Sequence, residues 1–447
     1  MLTKIKNHMS GPQMIALGFF LIILAGTFAL MLPVSSRTGE PTPFITAAFT
    51  ATSATCVTGL VVVDTFSHWS LFGQVVLLCL IQIGGLGFIS LGVTVSLLLR
   101  KKIGLKQRGL IQESFNVLEI RGAVRLTKQV IFGTLFFEGC GALILSACFI
   151  PKMGFLQGIY YGIFHSVSAF CNGGFDLMGR YEPGSSLTGL NNNPIVLITI
   201  MLLILIGGLG FIVWSDLWKN KLKYKRYSLH TKIVLCATIL LTLGGALLFY
   251  LIEQNRLFAD MPQTDKIINA LFCSVTPRTA GFNSVDTGAM TDGSKLLTIV
   301  LMFIGGAPGS TAGGIKMTTM VVLLVYLKST LTRTQGANIF GRRLEDAAIQ
   351  KASSVFFINL SLGVTAGIAI CCIQNLNGID ALFETFSAIS TVGMTAGITG
   401  SLNTFSLVIV ALLMYLGRVG SLSFAMSFTD KKKIAHIMQP AEKINIG

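Results

Sequence analysis

The chain has 447 residues, of which 52% are hydrophobic and only 12% are charged, and its mean hydropathy is +0.72. This composition excludes a soluble globular domain and indicates an integral membrane protein. The net charge of +15 does not indicate nucleic acid binding, because most of the basic residues cluster between apolar runs.

Eight apolar runs are long enough to cross about 30 Å of hydrocarbon. In chain order they occupy 13–33, 71–99, 129–150, 194–215, 231–252, 295–327, 354–373 and 404–428. The first run lacks a small-residue cleavage site and therefore predicts a retained helix rather than a signal peptide. The nine cysteines lie mostly inside these runs without metal-ligand or extracellular spacing, so we interpret them as small buried hydrophobic residues.

The basic residues predict which face each connection occupies. Of the 34 Lys and Arg, 25 lie in five segments, at 4–6, 100–128, 219–232, 328–351 and from 431 onward. The positive-inside rule makes these segments cytoplasmic, so an even number of crossings must separate each consecutive pair. Each interval nevertheless contains three apolar stretches. The sequence therefore predicts four units of span, re-entrant loop and span, with both termini cytoplasmic.

The re-entrant stretches share a short glycine motif. They read "SATCVTGL" (53–60), "AFCNGGF" (169–175), "TPRTAGF" (276–282) and "AISTVGM" (388–394). Each follows a pattern suited to a half-helix, and the shared glycines are 115, 107 and 112 residues apart. Four copies of one unit predict four elements around a common axis, with a pore along it.

The chemistry of a cation path explains the glycines. A single glycine of this kind would be more simply interpreted as helix packing, whereas four in register favour a shared site. Glycine adopts backbone angles closed to other residues, so an extended strand can turn its carbonyls inward. Irregular backbone at membrane depth must be buried or line a watery cavity. Rings of carbonyl oxygens can there replace the hydration shell of a cation.

The second span of each unit contains a further glycine cluster, at 81–89, 204–212, 303–314 and 415–424. In the third unit this cluster reads "GGAPGSTAGG" (305–314) and interrupts the span. Its glycines and Pro308 oppose a continuous helix, whereas Ser310 and Thr311 can satisfy the freed backbone groups. We therefore predict an intramembrane loop that lines a watery path.

These four units, each with one motif glycine, resemble the Trk/Ktr/HKT superfamily of potassium transporters over about residues 12–447, and the Ktr type in particular. The resemblance implies an all-α integral membrane fold. In it, four fused span/pore-loop/span repeats, with eight transmembrane helices and four re-entrant pore loops, surround a pseudo-fourfold, potassium-channel-like pore. The repeats are 13–99, 129–217, 231–327 and 353–429. Cytoplasmic segments are 1–12, 100–128, 218–230, 328–352 and 430–447.

The resemblance also implies a potassium selectivity filter built from backbone carbonyls. By motif match its residues are Val57, Thr58, Gly59, Asn172, Gly173, Gly174, Thr279, Ala280, Gly281, Thr391, Val392 and Gly393. Each loop keeps one motif glycine rather than a full "TVGYG" run, which predicts weaker discrimination of K⁺ from Na⁺. K⁺ is the expected transported ion. Sodium dependence is described for the family, but the sequence locates no sodium site.

Arg418 lies deep in the last span, where a charge is costly unless it faces a cavity or a partner. The matching position in the family is assigned to a gate, because a cation below the filter repels K⁺; a structural ion pair is the alternative. The predicted gate combines Arg418 with the broken segment. Its residues there are Gly305, Gly306, Pro308, Gly309, Ser310, Thr311, Gly313, Gly314 and Lys316.

Other polar residues have two interpretations each. Asp64, Asp176 and Asp286 follow three of the motif glycines within five residues, and they either focus cations at an outer mouth or cap turns. Arg278 is interpreted as structural support for its loop. Three further groups are interpreted as internally hydrogen-bonded side chains rather than proton carriers: Glu138, His165 and Glu384.

The resemblance further implies a homodimer in the plasma membrane, regulated by a KtrA-like cytosolic octameric ring that binds ATP or ADP, with no nucleotide bound by this chain. The basic segments 100–108 and 219–228 are either docking surfaces for that ring or topology signals that contact lipid headgroups. The same pattern predicts contact with the lipid membrane and no nucleic acid partner.

The sequence does not favour an enzyme. It shows no Ser-His-Asp or HExxH arrangement, and "GSTAGGIK" lacks the Gly-Lys-Ser/Thr ending of a phosphate-binding loop. The main alternative is a coupled secondary cation transporter, a sodium or proton symporter with inverted repeats. The repeats predicted here are parallel, which favours the pore.

Overall fold

The computed structural model describes residues 11–87, 123–221 and 223–421. The basic segment 100–108, most of the N-terminal tail, the end of the last predicted span and the C-terminal tail lie outside the described residues.

Four units follow one another, each with a first helix, a short helix and a second helix. Unit 1 contains Gly11–Met31, Phe44–Thr55 and Leu71–Leu86; unit 2 contains Ala123–Met153, Phe155–Phe170 and Pro194–Gly208, continued by Phe211–Asn220. Unit 3 contains Leu229–Glu253, Gln263–Val275 and a second helix in two pieces, Asp292–Phe303 and Met317–Leu331. Unit 4 contains Asp346–Gln374, Gly378–Ile389 and Thr404–Val419. Two-residue antiparallel strands, Asn338–Ile339 and Arg342–Arg343, join units 3 and 4.

The first helices are long and apolar around their whole circumference. Among the described residues, four segments meet the length and hydropathy required to cross a membrane: Gln13–Met31, Leu126–Met153, Leu229–Glu253 and Asp346–Gln374. At most a third of each hydrophobic window is buried within the protein. Apolar surface of this extent is stable only in contact with lipid or with another apolar surface.

The second helices all begin with the same local device. The residue before each helix is polar and accepts a hydrogen bond from the backbone N–H three residues further on, which satisfies one of the free donors at a helix start. The four caps are Ser70, Asn193, Thr291 and Asn403.

Each second helix is also interrupted near the glycine cluster. The helices of units 1 and 4 end at Gly87 and Gly420, whose φ angles of 79° and 94° favour glycine. In unit 2 the chain bends by 94° around Gly210. In unit 3 the residues 304–316 form no helix. The second helices are therefore too short to count singly as spans, and the number of eight crossings stays a prediction.

The short helices lie at the centre of the fold. Each contributes a phenylalanine that is almost fully buried, namely Phe49, Phe164, Phe272 and Phe383. The backbone groups left without a partner at the end of a short helix can form hydrogen bonds when the helix is surrounded by protein rather than by lipid. The predicted fold class, a helical membrane protein with short half-helices between longer ones, is confirmed.

Candidate cation path

The four motif loops adopt the same unusual backbone. The glycines Gly59, Gly174, Gly281 and Gly393 have φ angles of 97°, 67°, 81° and 91°. Two residues earlier, non-glycine residues are also left-handed: Val57, Asn172, Thr279 and Thr391 have φ angles of 56°, 61°, 69° and 51°. This conformation costs on the order of 1–3 kcal/mol for such residues and is concentrated at functional sites.

The four glycines form a closed circuit, in which each loop lies against a neighbouring loop and the fourth lies against the first. A Cβ atom added to Gly59 would lie 2.8 Å from the carbonyl oxygen of Gly173, and one added to Gly174 would lie 2.8 Å from that of Ala280. The same construction places a Cβ on Gly281 2.6 Å from the Val392 oxygen. A Cβ on Gly393 would lie 2.0 Å from the Thr58 oxygen, which returns to unit 1. The loops therefore meet around one axis in the order of units 1, 2, 3 and 4.

Short helices and buried hydroxyls hold this ring. Each short helix ends just before its loop, so four C-terminal ends, with their partial negative charge, lie beside the axis. The Gly59 and Gly393 N–H groups each donate to a serine of the short helix, Ser53 and Ser387, at 3.1 Å. The loops of units 2 and 3 are held instead through carbonyls: Ser168 Oγ donates to the Phe175 oxygen, and Thr276 Oγ1 donates to the Phe282 oxygen.

Three side-chain oxygens of the ring residues have no hydrogen-bond partner among the described residues, although they are buried: Thr58 Oγ1, Asn172 Oδ1 and Thr391 Oγ1. A buried oxygen without a partner is costly unless water or a cation satisfies it. The side chains of Asn172 and Thr279 do bond each other, at 3.1 Å. The unpartnered oxygens thus fit a cation or its hydrating water.

The three aspartates predicted at the outer mouth all accept hydrogen bonds from backbone N–H groups. Asp64 accepts from Phe66 and Ser67, and also from Gly184 of unit 2 at 3.2 Å. Asp176 and Asp286 each accept from the N–H two residues further on, at 2.9 Å. Burial raises the pKa of Asp176 to about 6, and the charge of Asp64 contributes to this increase. The carboxylates therefore cap turns, and their focusing of cations stays a prediction.

The broken segment of unit 3 is hydrogen-bonded to unit 2. Ala307 N and Thr311 N donate to the Gly208 and Gly207 oxygens, at 3.0 and 3.3 Å. The bend of unit 2 donates a hydrogen bond in the opposite direction, from Phe211 N to the Gly309 oxygen at 2.8 Å. These bonds satisfy backbone groups that the missing helix leaves free. The segment 304–316 therefore fits into the bend of the neighbouring second helix.

Arg418 lies where units 1, 3 and 4 meet. Its guanidinium donates to the carbonyl of Thr311 in the broken segment and to the carbonyls of Gly84 and Gly85 in unit 1. Its described partners are thus backbone oxygens rather than a carboxylate. Lys316 Nζ donates within its own segment, to the Ala312 oxygen at 2.6 Å and the Gly313 oxygen at 3.3 Å.

The glycine clusters have a packing role that the sequence did not reveal. A Cβ on Gly84, Gly207 or Gly417 would lie 2.1 Å from the carbonyl oxygen of the last residue of a short helix. Those oxygens belong to Thr55, Phe170 and Ile389. The second helices of units 1, 2 and 4 therefore approach the short helices more closely than any larger residue permits.

The remaining polar residues of interest support the loops from behind. Arg278 donates to the Thr242 hydroxyl at 2.6 Å and the Thr238 carbonyl at 3.4 Å, both on the first helix of unit 3. Glu138 accepts from Gln82 Nε2 at 3.1 Å. Sequence analysis missed this partner, because Gln82 lies in another unit and no local pattern joins the two residues.

Comparison with known proteins identifies the family. The family model TrkH, described as a cation transport protein, matches residues 7–437. The chain is 40% identical to the potassium/sodium uptake protein NtpJ of Enterococcus hirae over 451 residues, which covers 99% of each protein. It is also 40% identical to Ktr system potassium uptake protein B of Bacillus subtilis over 438 residues, which covers 98% of this chain and 96% of that protein.

A solved structure agrees in fold. The potassium transporter TrkH from Vibrio parahaemolyticus matches with a TM-score of 0.73 at 18% identity, over 92% of this chain and 85% of that one. The prediction of a membrane transporter rather than an enzyme is confirmed by the family match, as is the predicted superfamily. This multi-pass membrane protein therefore belongs to the TrkH family of cation transport proteins.

Proposed function

We propose that the chain takes up K⁺ by conduction along the axis that the four motif loops enclose. The closed circuit of glycines carries this proposal, because four loops of equivalent backbone converge there from four equivalent units. Each contact in the circuit brings a carbonyl oxygen of one loop against the glycine of the preceding loop. Oxygens in such a ring can replace the hydration shell of a cation.

The electrostatics of the ring support a cation rather than an anion. Four helix C-termini, each with a partial negative charge, end beside the axis. The unpartnered oxygens of Thr58, Asn172 and Thr391 add acceptors to the same region. The names of the relatives refer to potassium uptake and, for the Enterococcus protein, to potassium and sodium. Sodium is therefore the second ion to test.

We extend the proposal to a gate below the ring. Arg418 joins the broken segment of unit 3 to the second helix of unit 1 through carbonyls, so moving the segment must break these hydrogen bonds or shift the guanidinium. A cation held there opposes the passage of K⁺. Lys316 adds a second basic side chain to the segment.

The partner proposal rests on the resemblance and on the relatives' description as parts of a Ktr system. The chain acts as a homodimer in the plasma membrane, with cytoplasmic termini, under a KtrA-like ring that binds ATP or ADP. The exposed basic residues between Lys219 and Lys232 belong to the described part of the proposed cytoplasmic face.

The test is K⁺ uptake in bacteria that lack their own high-affinity uptake systems. Wild-type protein should restore growth at low K⁺, whereas Gly281→Asp and Gly393→Asp should not, because each places a carboxylate side chain against a ring carbonyl. Equal growth of wild type and both variants would contradict the proposal. Proteoliposomes with a K⁺ gradient and no Na⁺ on either side separate the alternatives. A pore still conducts K⁺ without moving protons, whereas a sodium symporter stops and a proton symporter moves protons together with K⁺.

A further inference from the structure

Behind the ring, the four units differ in pairs at one position of the short helix. Nine residues before the motif glycine, on the short helix, units 2 and 4 have the polar residues His165 and Glu384. Unit 1 has Thr50 at this position and unit 3 has Phe272. Since the circuit runs through units 1, 2, 3 and 4 in order, units 2 and 4 lie across the axis from each other.

His165 holds the outer strand of unit 2, which comprises the non-helical residues 175–177 after the motif glycine. Its Nε2 accepts a hydrogen bond from the Leu177 N–H at 3.3 Å, and its Nδ1 lies 2.8 Å from the Tyr161 carbonyl of the same helix. A nitrogen that faces an N–H must accept and one that faces a carbonyl must donate, so these partners specify the neutral Nδ1–H tautomer. His165 is fully buried, which makes both bonds strong and their loss costly.

Glu384 holds the corresponding strand of unit 4. The hydroxyl of Thr395, two residues beyond the glycine, donates to Glu384 Oε1. The hydroxyl of Thr399 lies 3.0 and 3.1 Å from the two carboxyl oxygens. Thr395 Oγ1 in turn accepts from the Gly397 N–H at 2.9 Å, so one buried carboxyl group organises the whole outer turn of unit 4.

The other two units lack this connection among the described residues. The Thr50 hydroxyl donates to the Thr46 carbonyl of its own helix, at 2.8 Å. Phe272 is buried and has no polar atom to offer. The strands beyond the ring are therefore fixed from behind by this position in units 2 and 4 and not in units 1 and 3.

We propose that His165 and Glu384 are positioning residues for ion selectivity, which fix the outer strands across one diagonal of the ring and so keep its carbonyls at the spacing that favours K⁺ over Na⁺. This inference rests on the proposed function. The physical reason is that a flexible ring contracts around a smaller ion, whereas a ring whose strands are held from behind resists this contraction. Neither residue needs to contact the ion.

The test compares apolar and conservative replacements in purified full-length protein reconstituted in liposomes, with K⁺ and Na⁺ fluxes measured separately. Glu384→Leu and His165→Phe remove the connection, and the second variant reproduces the residue type of unit 3. Glu384→Gln and His165→Gln retain an acceptor for the same donors. Thr50→Val is the matched control at the equivalent position of unit 1. Thr399→Val removes one donor from Glu384 without changing the short helix.

We expect the K⁺/Na⁺ flux ratio to fall by about fivefold in Glu384→Leu and in His165→Phe, the factor that corresponds to one net hydrogen bond. It should stay within about twofold of wild type in both glutamine variants and in Thr50→Val, since these keep the acceptor or never had the contact. The K⁺/Na⁺ flux ratio of Thr399→Val should lie between that of the apolar variants and that of the glutamine variants. If Glu384→Leu does not fold, the ratios of His165→Phe and Thr399→Val decide the question.

An unchanged ratio in the apolar variants, with wild-type K⁺ flux present, would refute the positioning role and leave the pore intact. A ratio that falls equally in the glutamine variants would also refute it, because the retained acceptors would then be irrelevant. Absence of K⁺ flux through the wild type would instead refute the proposed function, and this inference with it.

Discussion

Replacement of Gly393 by alanine tests the geometry of the ring most directly. The new Cβ would lie 2.0 Å from the Thr58 carbonyl oxygen and 2.8 Å from the Gly59 Cα. Real Cβ atoms essentially never approach other atoms within 3.0 Å, so the Thr58 carbonyl must move. The φ angle of 91° adds strain for any residue with a Cβ.

The two effects can be separated with a second glycine. Gly397, four residues further on, has a φ of 92° but no atom within 4 Å of its constructed Cβ. Both alanine variants thus carry about 1–2 kcal/mol of backbone strain, but only Gly393→Ala displaces a ring carbonyl. If the loss of that ligand costs about 2 kcal/mol at the rate-limiting step, conduction falls about 30-fold.

The assay is K⁺ flux into proteoliposomes with matched protein content, supported by growth at low K⁺. The K⁺ flux through Gly393→Ala should be about 30-fold lower than that of the wild type, whereas Gly397→Ala should retain most of the wild-type flux. Gly59→Ala, with a closest contact of 2.8 Å, should be affected less than Gly393→Ala. Equal flux in Gly393→Ala and Gly397→Ala would show that the circuit of glycines is not the conduction path.

Three further predictions concern the gate, the outer mouth and the packing of the second helices. Arg418→Ala should raise K⁺ flux about tenfold and Arg418→Lys much less, since the charge opposes K⁺; unchanged flux in Arg418→Ala would argue against an electrostatic gate. Because the pKa of Asp176 is raised to about 6 by burial, lowering the external pH from 7.5 to 5 neutralises it. Uptake should then fall about twofold in wild type but not in Asp176→Asn, and a variant with the wild-type pH profile would refute this assignment. Gly207→Ala places a Cβ 2.1 Å from the Phe170 oxygen and should lower the apparent melting temperature in detergent. Gly208→Ala, whose nearest neighbour lies at 3.8 Å, should leave the melting temperature unchanged. Equal melting temperatures of the two variants would contradict the close approach of the helices.

Several features of the site were accessible from the sequence because they repeat. The motif glycines could be aligned by spacing alone, and the alignment indicated that Gly59 and Gly393 serve the same purpose. His165 and Glu384 occupy the same position in this alignment, nine residues before the motif glycine, although each appears in the sequence as an isolated polar residue. Their hydrogen-bond partners, Leu177 and Thr395, became visible only in the structure, because these residues lie beyond the motif glycines at positions that the alignment does not join to the short helices.

The partners of Arg418 could not be predicted in the same way. The sequence indicated that a buried charge needs a cavity or a counter-charge, and an ion pair remained an alternative. In the structure its partners are carbonyls of Thr311, Gly84 and Gly85, which lie in two other units. Backbone acceptors carry no sequence signature, because every residue has one.

The sequence by itself determined the membrane class, the four repeated units and the four motif glycines, because hydropathy, charge and spacing are properties that repeat along the chain. Only the tertiary structure decided that the glycines close into one circuit, that the broken segment of unit 3 fits the bend of unit 2, and that Arg418 joins three units. These features depend on contacts between residues that lie about 100 or more positions apart in the sequence, and the packing of all four units together fixes their distances.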